Sequence, residues 1–251
     1  MKGLILSAGL GSRFRQYTQN QHKLLLTVNG VPVIDYALQA FFRAGIYDVG
    51  LVTGFMADHI SDWVGNGSRY GLKIKYIFNA DYKLGNAISL QVAQAFTGDE
   101  DFVLSMGDHM VSHSLITQVL EFNGDCQGNV LGVDFGLNIR HAHDATRVLV
   151  EAGGRISSIG KHLNQWNGID AGTFVFSSQI YGAVNQWITR DESGRYELGG
   201  ALAYLIDQGG SLQSCDISGH FWHDVDDMKD LNGLQRMGFD PVTSQESRKN
   251  W

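Results

Sequence analysis

Proline is nearly missing from this chain: there are two, against 31 glycines. That excludes a proline-rich linker and points to many tight turns. Cysteine is as scarce. Cys126 and Cys215 stand alone, without the paired spacing of a zinc or redox site and without the density of a disulfide scaffold. Both are read as free thiols of a reducing compartment. No run approaches the roughly 18 consecutive apolar residues of a membrane span. The N-terminus has one lysine, a short strand-like run and then a glycine turn, which is not a signal peptide, so a cytoplasmic location is expected. Positive charge is short too. The formal net charge is −7, which argues against a nucleic-acid partner held by bulk electrostatics. An anionic small molecule would need a local cluster of cations.

Such a cluster stands near the N-terminus. Met1 to Ser7 reads as a buried strand and runs into Ala8-Gly9-Leu10-Gly11-Ser12-Arg13, with Lys23 further on and Arg15 between. A strand that ends in a glycine-rich turn offers a row of backbone N–H groups to which a ligand can come close. Ser7 to Arg13 with Lys23 therefore reads as a cradle for the phosphates of a nucleoside triphosphate. Both cations are expected to be exposed, so that their loss spares the fold. The P-loop pattern is excluded, because no Gly-Lys is followed by a hydroxyl here. The dinucleotide pattern is excluded as well, because Phe14 stands where its third glycine belongs.

Strand-like and helix-like stretches then alternate. Helices are predicted over 33–44, 56–64, 86–96 and 114–122, and strands over 48–53, 72–78 and 101–106. This rhythm predicts an α/β fold with a mixed, mostly parallel sheet flanked by helices. The second half carries short strands over 130–134, 147–150, 156–160, 168–176, 212–216 and 221–225, which read as a half rich in antiparallel strands. Helices over 180–188, 198–206 and 228–237 accompany them. We expect one Rossmann-like domain over 1–240, with a nucleotide-binding half (1–125), an acceptor-binding half (126–240) and a polar tail (241–251).

Two aspartates follow apolar strands, where α/β sheets bind ligands. Asp108 follows FVLSMG, and Asp224 follows Phe221-Trp222-His223. Paired carboxylates beside a triphosphate suit Mg²⁺. Asp226 is a further candidate ligand, although its place before the last helix favours a capping role. The nine histidines show no metal spacing. His109 with His113, and His141 with His143 beside Asp144, are read as surface or loop residues, and His223 as pointing away from Asp224. Lys161, at the end of ISSIGK, is placed to receive a second phosphate. Asn86, in a glycine turn after a strand, can present donor and acceptor to a small pyrimidine edge.

These pieces resemble the sugar-phosphate nucleotidylyltransferases with a GT-A-like fold, along nearly the whole chain. LSAGLGSRF is similar to their first loop, HKLLLTVNGVPVIDY to the segment with the phosphate-binding lysine, and SMGDHM and FWHDVDD to the segments with the metal aspartates. KLGNAISL, DATRVLVEAGGRISSIGK and GIDAGTFVF are similar in order and wording to the CTP:inositol-1-phosphate cytidylyltransferases. Ser7, Gln16 and His22 depart from the common pattern. Neither the membrane-spanning half of some relatives nor the hexapeptide-repeat tail of others is expected.

The resemblance implies CMP transfer from CTP to a polyol, cyclitol or sugar phosphate, inositol-1-phosphate first, with pyrophosphate released and Mg²⁺ required. It implies that Arg13 and Lys23 hold the triphosphate and that Asp108 and Asp224 hold the metal. Asn79, Gly85, Asn86 and Ser89 would meet base and ribose. Lys161 would bind the acceptor phosphate, with Asp170 and Glu197 near its hydroxyls. Four alternatives remain. One is a phosphocholine or phosphonate acceptor, for which Trp166, Tyr196 and Trp222 offer an aromatic box. The others are a hexose-1-phosphate uridylyl-, adenylyl- or guanylyltransferase, a nucleotide-sugar glycosyltransferase built on Asp224-Val225-Asp226, and an inactive binding domain. Oligomeric state is open.

Overall fold

The computed structural model describes residues 1–14, 21–126, 128–136 and 145–237, and for 125, 126 and 237 the backbone alone. Arg15, Gln16, His141, His143, Asp144, the thiol of Cys126 and the tail 241–251 therefore lie outside the described residues.

The first half builds β1 (Lys2–Leu6), β2 (Thr27–Val28), β3 (Val31–Pro32), α1 (Val33–Arg43), β4 (Asp48–Thr53), α2 (Ala57–Val64), β5 (Lys73–Phe78), α3 (Asn86–Val92), α4 (Gln94–Thr97), β6 (Phe102–Met106), β7 (His109–Val111) and α5 (His113–Cys126). The second half adds β8 (Asn129–Asp134), β9 (Arg147–Val150), β10 (Ile156–Gly160), β11 (Gly168–Phe176), α6 (Ile180–Arg190), α7 (Leu198–Asp207), β12 (Leu212–Asp216), β13 (Trp222–Asp224) and α8 (Met228–Met237).

One sheet runs β10-β9-β11-β6-β1-β4-β5, and β8 and β12 extend it from β11. Strands β6, β1, β4 and β5 are parallel, and β11 joins them antiparallel beside β6. The expected mixed α/β fold, with its central strands parallel, is what forms. Alternation assigns the two faces of β1. Ile5 packs under α1 and α5, while Leu4 and Leu6 pack under α3, α6 and α7. Burial on both faces is why the central strands read as continuous apolar runs. Among the described residues, no helix is long and apolar enough to cross a membrane.

Parallel pairing aligns the carboxyl ends of β1 and β6, with Leu6 opposite Met106. Gly107 then bonds back from its N–H to the Leu6 carbonyl at 2.9 Å. A Cβ there would strike the Ser7 hydroxyl and the Leu6 carbonyl, so a glycine is what lets the two strand ends leave the sheet side by side.

Several local expectations are corrected. The helix expected over 86–96 breaks at Ala93, where the bonds tighten to Ala93 N–H to Leu90 O and Phe96 N–H to Ala93 O. Helix α5 continues past Phe122 to Cys126. Ribbon β2–β3 was not foreseen. It turns on Asn29-Gly30, both with positive φ, which suits the right-handed twist of a tight hairpin. Strand β7 was not foreseen either, and it pairs antiparallel with β13. The cap of α8 is Asp227, whose Oδ1 accepts from the N–H groups of Lys229 and Asp230, and not Asp226.

Candidate active site

The loop after β1 is held at both ends. Ser7 donates its N–H to Val52 O at 2.8 Å, and Ala8 O accepts from Phe55 N–H at 3.1 Å. Gly9 and Ser12 are exposed, while Phe14 is buried and anchors the far end of the described loop. Gly11, at φ +54°, lies against the aliphatic stem of Lys23. A 3₁₀ turn over Lys23–Leu25 presents the lysine. His22 caps that turn, its Nδ1 accepting from Leu24 N–H at 3.1 Å.

The structure gathers Lys23, Asp108 and Asp224. Lys23 Nζ lies 2.5 Å from Asp108 Oδ2, and their side chains are only 12% and 22% exposed. The expectation of an exposed Lys23 is thus corrected: the ammonium is folded inward onto a carboxylate. Burial opposes the charge on Lys23, but Asp108, then Asp224 and Asp226, raise its pKa. Burial likewise opposes the charge on Asp108, yet Lys23 and His109 hold it below the usual carboxylate range. Arg13 is half-exposed, and its Nη1 pairs with Asp226 Oδ2 at 2.5 Å. The two cations of the loop are therefore each met by an acid from the other side of the site.

The β7–β13 ribbon sets that side. His109 is directly opposite Asp224, and Val225 N–H donates to Asp108 O at 3.0 Å. Burial, with Asp108 and Asp226 close by, pushes Asp224 up to about 7 despite His109. His109, read as a loop residue, instead sits between the two aspartates, its side chain 12% exposed. Burial lowers its pKa, but Asp224 and Asp108 outweigh that and raise it. The clue lay in register: SMGDHM and WHDVDD are two short runs that could pair. His223 does point away, toward Asp230 at 3.9 Å.

On the acceptor side, burial raises Asp170 to about 6, against the opposing effects of the Gly172 N–H, His109 and Lys161. Lys161 is exposed and close enough for its charge to reach Asp170. Glu197 is exposed at the start of α7. The base-side residues are engaged internally. Asn79 is fully buried, donates to Ser89 Oγ at 3.0 Å and accepts from Asp81 N–H. A Cβ on Gly85 would collide with the backbone of Tyr196, so the close approach it permits is to the protein chain. Asn86 spends its carbonyl on Leu198 N–H at 2.6 Å, at the start of α7.

His22 supports a stability prediction. Burial, with the charges of Lys23 and His59, lowers its pKa from 6.5 to about 4, only partly offset by Asp108. As pH falls through 6.5, the unfolded chain takes up a proton that the folded chain refuses. Stability is lost until about pH 4, below which both states are protonated. The loss amounts to about 3 kcal/mol. Urea midpoints between pH 7.5 and 4 should fall in the wild type and fall less in His22→Asn, which can still cap the turn. Parallel curves would remove His22 as the source.

One oxygen or nitrogen each from Asp108, His109 and Asp224 lies within 4.8 Å of the other two. Asp224 Oδ1 is shielded from water and accepts no hydrogen bond among the described residues. A shielded carboxylate oxygen without a donor, beside a second carboxylate, fits a divalent cation.

The family model described as "Nucleotidyl transferase" matches residues 2–236. A glucose-1-phosphate thymidylyltransferase of Streptomyces griseus is 32% identical over 94% of this chain and 66% of its own length. A bifunctional IPC transferase and DIPP synthase of Rubrobacter xylanophilus is 29% identical over 93% of this chain and 51% of its own length. The chain thus spans from about half to just under two thirds of these relatives. The solved inositol-1-phosphate CTP transferase from T. maritima superposes with a TM-score of 0.79, at 23% identity, covering 94% of each chain.

Proposed function

We propose, from the premise that this chain belongs to the nucleotidyl transferase family, that it transfers CMP from CTP to a polyol, cyclitol or sugar phosphate, with inositol-1-phosphate first. An oxygen of the acceptor phosphate attacks the α-phosphorus in line, the bond to the β-phosphate bridging oxygen breaks, and pyrophosphate leaves. The attacking group is already an anion, so positioning and charge stabilisation suffice without a protein base. The observation that carries the reading is the Lys23–Asp108 pair at the carboxyl end of β6, beside the glycine loop of β1.

In this reading the loop amides, Arg13 and Lys23 hold the phosphates, which exchange places with the carboxylates that Arg13 and Lys23 now face. Asp108 and Asp224 would hold Mg²⁺, which when bound screens the phosphate charges. Lys161 binds the acceptor phosphate, and Asp170 and Glu197 orient its hydroxyls. Cytidylyl transfer to inositol phosphate is favoured by the likeness to the IPC transferase and the inositol-1-phosphate CTP transferase. A second reading, thymidylyl transfer to a hexose-1-phosphate, is favoured by the S. griseus relative. A choline-bearing acceptor has less support. Trp222 is buried and donates to Asp134, and Trp166 lies under the Arg147 guanidinium at 5.2 Å.

The test offers CTP, dTTP, UTP, ATP and GTP together, first with inositol-1-phosphate and then with glucose-1-phosphate, and identifies products by mass. A CDP-linked inositol product is expected. A dTDP-linked hexose would replace the first reading by the second.

A further inference from the structure

We propose that His109 is a third donor of the divalent-ion site and that it tilts the site toward first-row transition ions over Mg²⁺. The proposal deepens the reading that Asp108 and Asp224 hold a divalent ion, and rests on it. His109 Nδ1 lies 2.9 Å from the Ala171 carbonyl oxygen. A carbonyl can only accept, so Nδ1 carries the proton that makes this bond, and Nε2 is the atom turned toward the acids. A ring nitrogen tied to a backbone carbonyl, with the other left to ligate, is the usual support of a metal-binding histidine.

Nε2 stands 3.6 Å from Asp224 Oδ1, outside hydrogen-bond range. Asp224 Oδ1 accepts no hydrogen bond from any described residue. The two atoms face the same small space within ion-pair distance but beyond hydrogen-bond distance, a separation that two ligands of one ion also take. The backbone has been shaped to admit the ring. Gly172 has φ +69°, and a Cβ there would overlap the His109 imidazole. Asp170 Oδ1 holds this irregular stretch of β11 by accepting from Gly172 N–H at 2.7 Å. Trp222 stacks on the ring, with centroids 6.3 Å apart.

The donor set decides the preference. Mg²⁺ takes oxygen and water, whereas Co²⁺ and its neighbours gain from an imidazole nitrogen. Binding of Co²⁺ to the metal-stripped chain can be followed by its visible absorption, and Mg²⁺ by competition, with no turnover involved. Replacing His109 by glutamine should weaken Co²⁺ about 10- to 100-fold, shift Mg²⁺ less than about threefold, and alter the absorption band. Gly172→Ala keeps every donor residue but drives a Cβ into the His109 ring, so it should weaken Co²⁺ in the same direction, and His109→Asn, read by the same absorption, decides the matter if His109→Gln fails to fold by circular dichroism. Unchanged Co²⁺ affinity and spectrum in a folded variant would overturn the role of His109 alone. Failure of the wild type to bind either ion would overturn the divalent-ion reading with it, and binding unaffected by Asp224→Asn would remove Asp224 as a ligand and the proposal with it.

Discussion

Lys23→Ala is expected to lower kcat about 10²- to 10³-fold, the scale for losing one donor to transition-state charge. It is also expected to destabilise the protein, which Arg13→Ala is not. The Lys23–Asp108 pair is mostly buried, so removing the ammonium leaves Asp108 with its desolvation cost and without its main compensation. Such orphaned charges cost roughly 2–4 kcal/mol. The Arg13–Asp226 pair is half in water and contributes about 1 kcal/mol or less. Both variants should lose turnover, then, but only Lys23→Ala should show a clearly lower urea midpoint. Near-normal turnover in either folded variant would remove that residue from the phosphate cradle. Equal midpoints for Lys23→Ala and wild type would mean that the pair is more hydrated than its geometry indicates.

The contrast between these two cations lies in partners that the chain brings from far away in sequence. The glycine loop and Asp108 stand out in the chain because each is a local pattern, a strand and then residues that leave its carboxyl end, whereas motif likeness is what marks Lys23 and Asp224. The parallel order of the first four large strands was legible for the same reason, since alternating periodicities force it. What local patterns do not carry is cross-chain partnership. That Lys23 turns inward depends on Asp108, which arrives on another strand. That His109 joins the site depends on a three-residue ribbon whose two halves lie far apart in the chain, each too short to show a period. Asn79 and Ser89 look like two free polar groups in sequence, but in the fold they satisfy each other at the root of α3. The choice of Asp227 over Asp226 as the helix cap turned on a single-residue shift that propensity does not resolve, since either aspartate suits the position.

Asp108→Asn and Asp224→Asn should both reduce metal-dependent turnover about a thousandfold, because a carboxamide keeps the shape but surrenders the charge that retains a hard cation. Their effects on the fold should separate. Asp108 is the partner of the inward Lys23, so Asp108→Asn strands an ammonium and should lower stability in the absence of metal. Asp224 Oδ1 accepts no hydrogen bond among the described residues and its carboxyl is pushed up chiefly by burial, so Asp224→Asn removes a desolvated charge along with its attraction to His109 and should leave stability nearly unchanged. Thermal midpoints in EDTA, set beside turnover across a Mg²⁺ titration, distinguish the two. A metal that binds both aspartates should raise the midpoint of the wild type and fail to raise that of either variant at the same concentration. Full activity in excess EDTA would sink the metal assignment outright. Activity retained by Asp224→Asn would move the second ligand to Asp226, whose carboxylate would first have to leave Arg13. The double variant Arg13→Ala/Asp224→Asn would then be more sensitive to Mg²⁺ than Asp224→Asn alone.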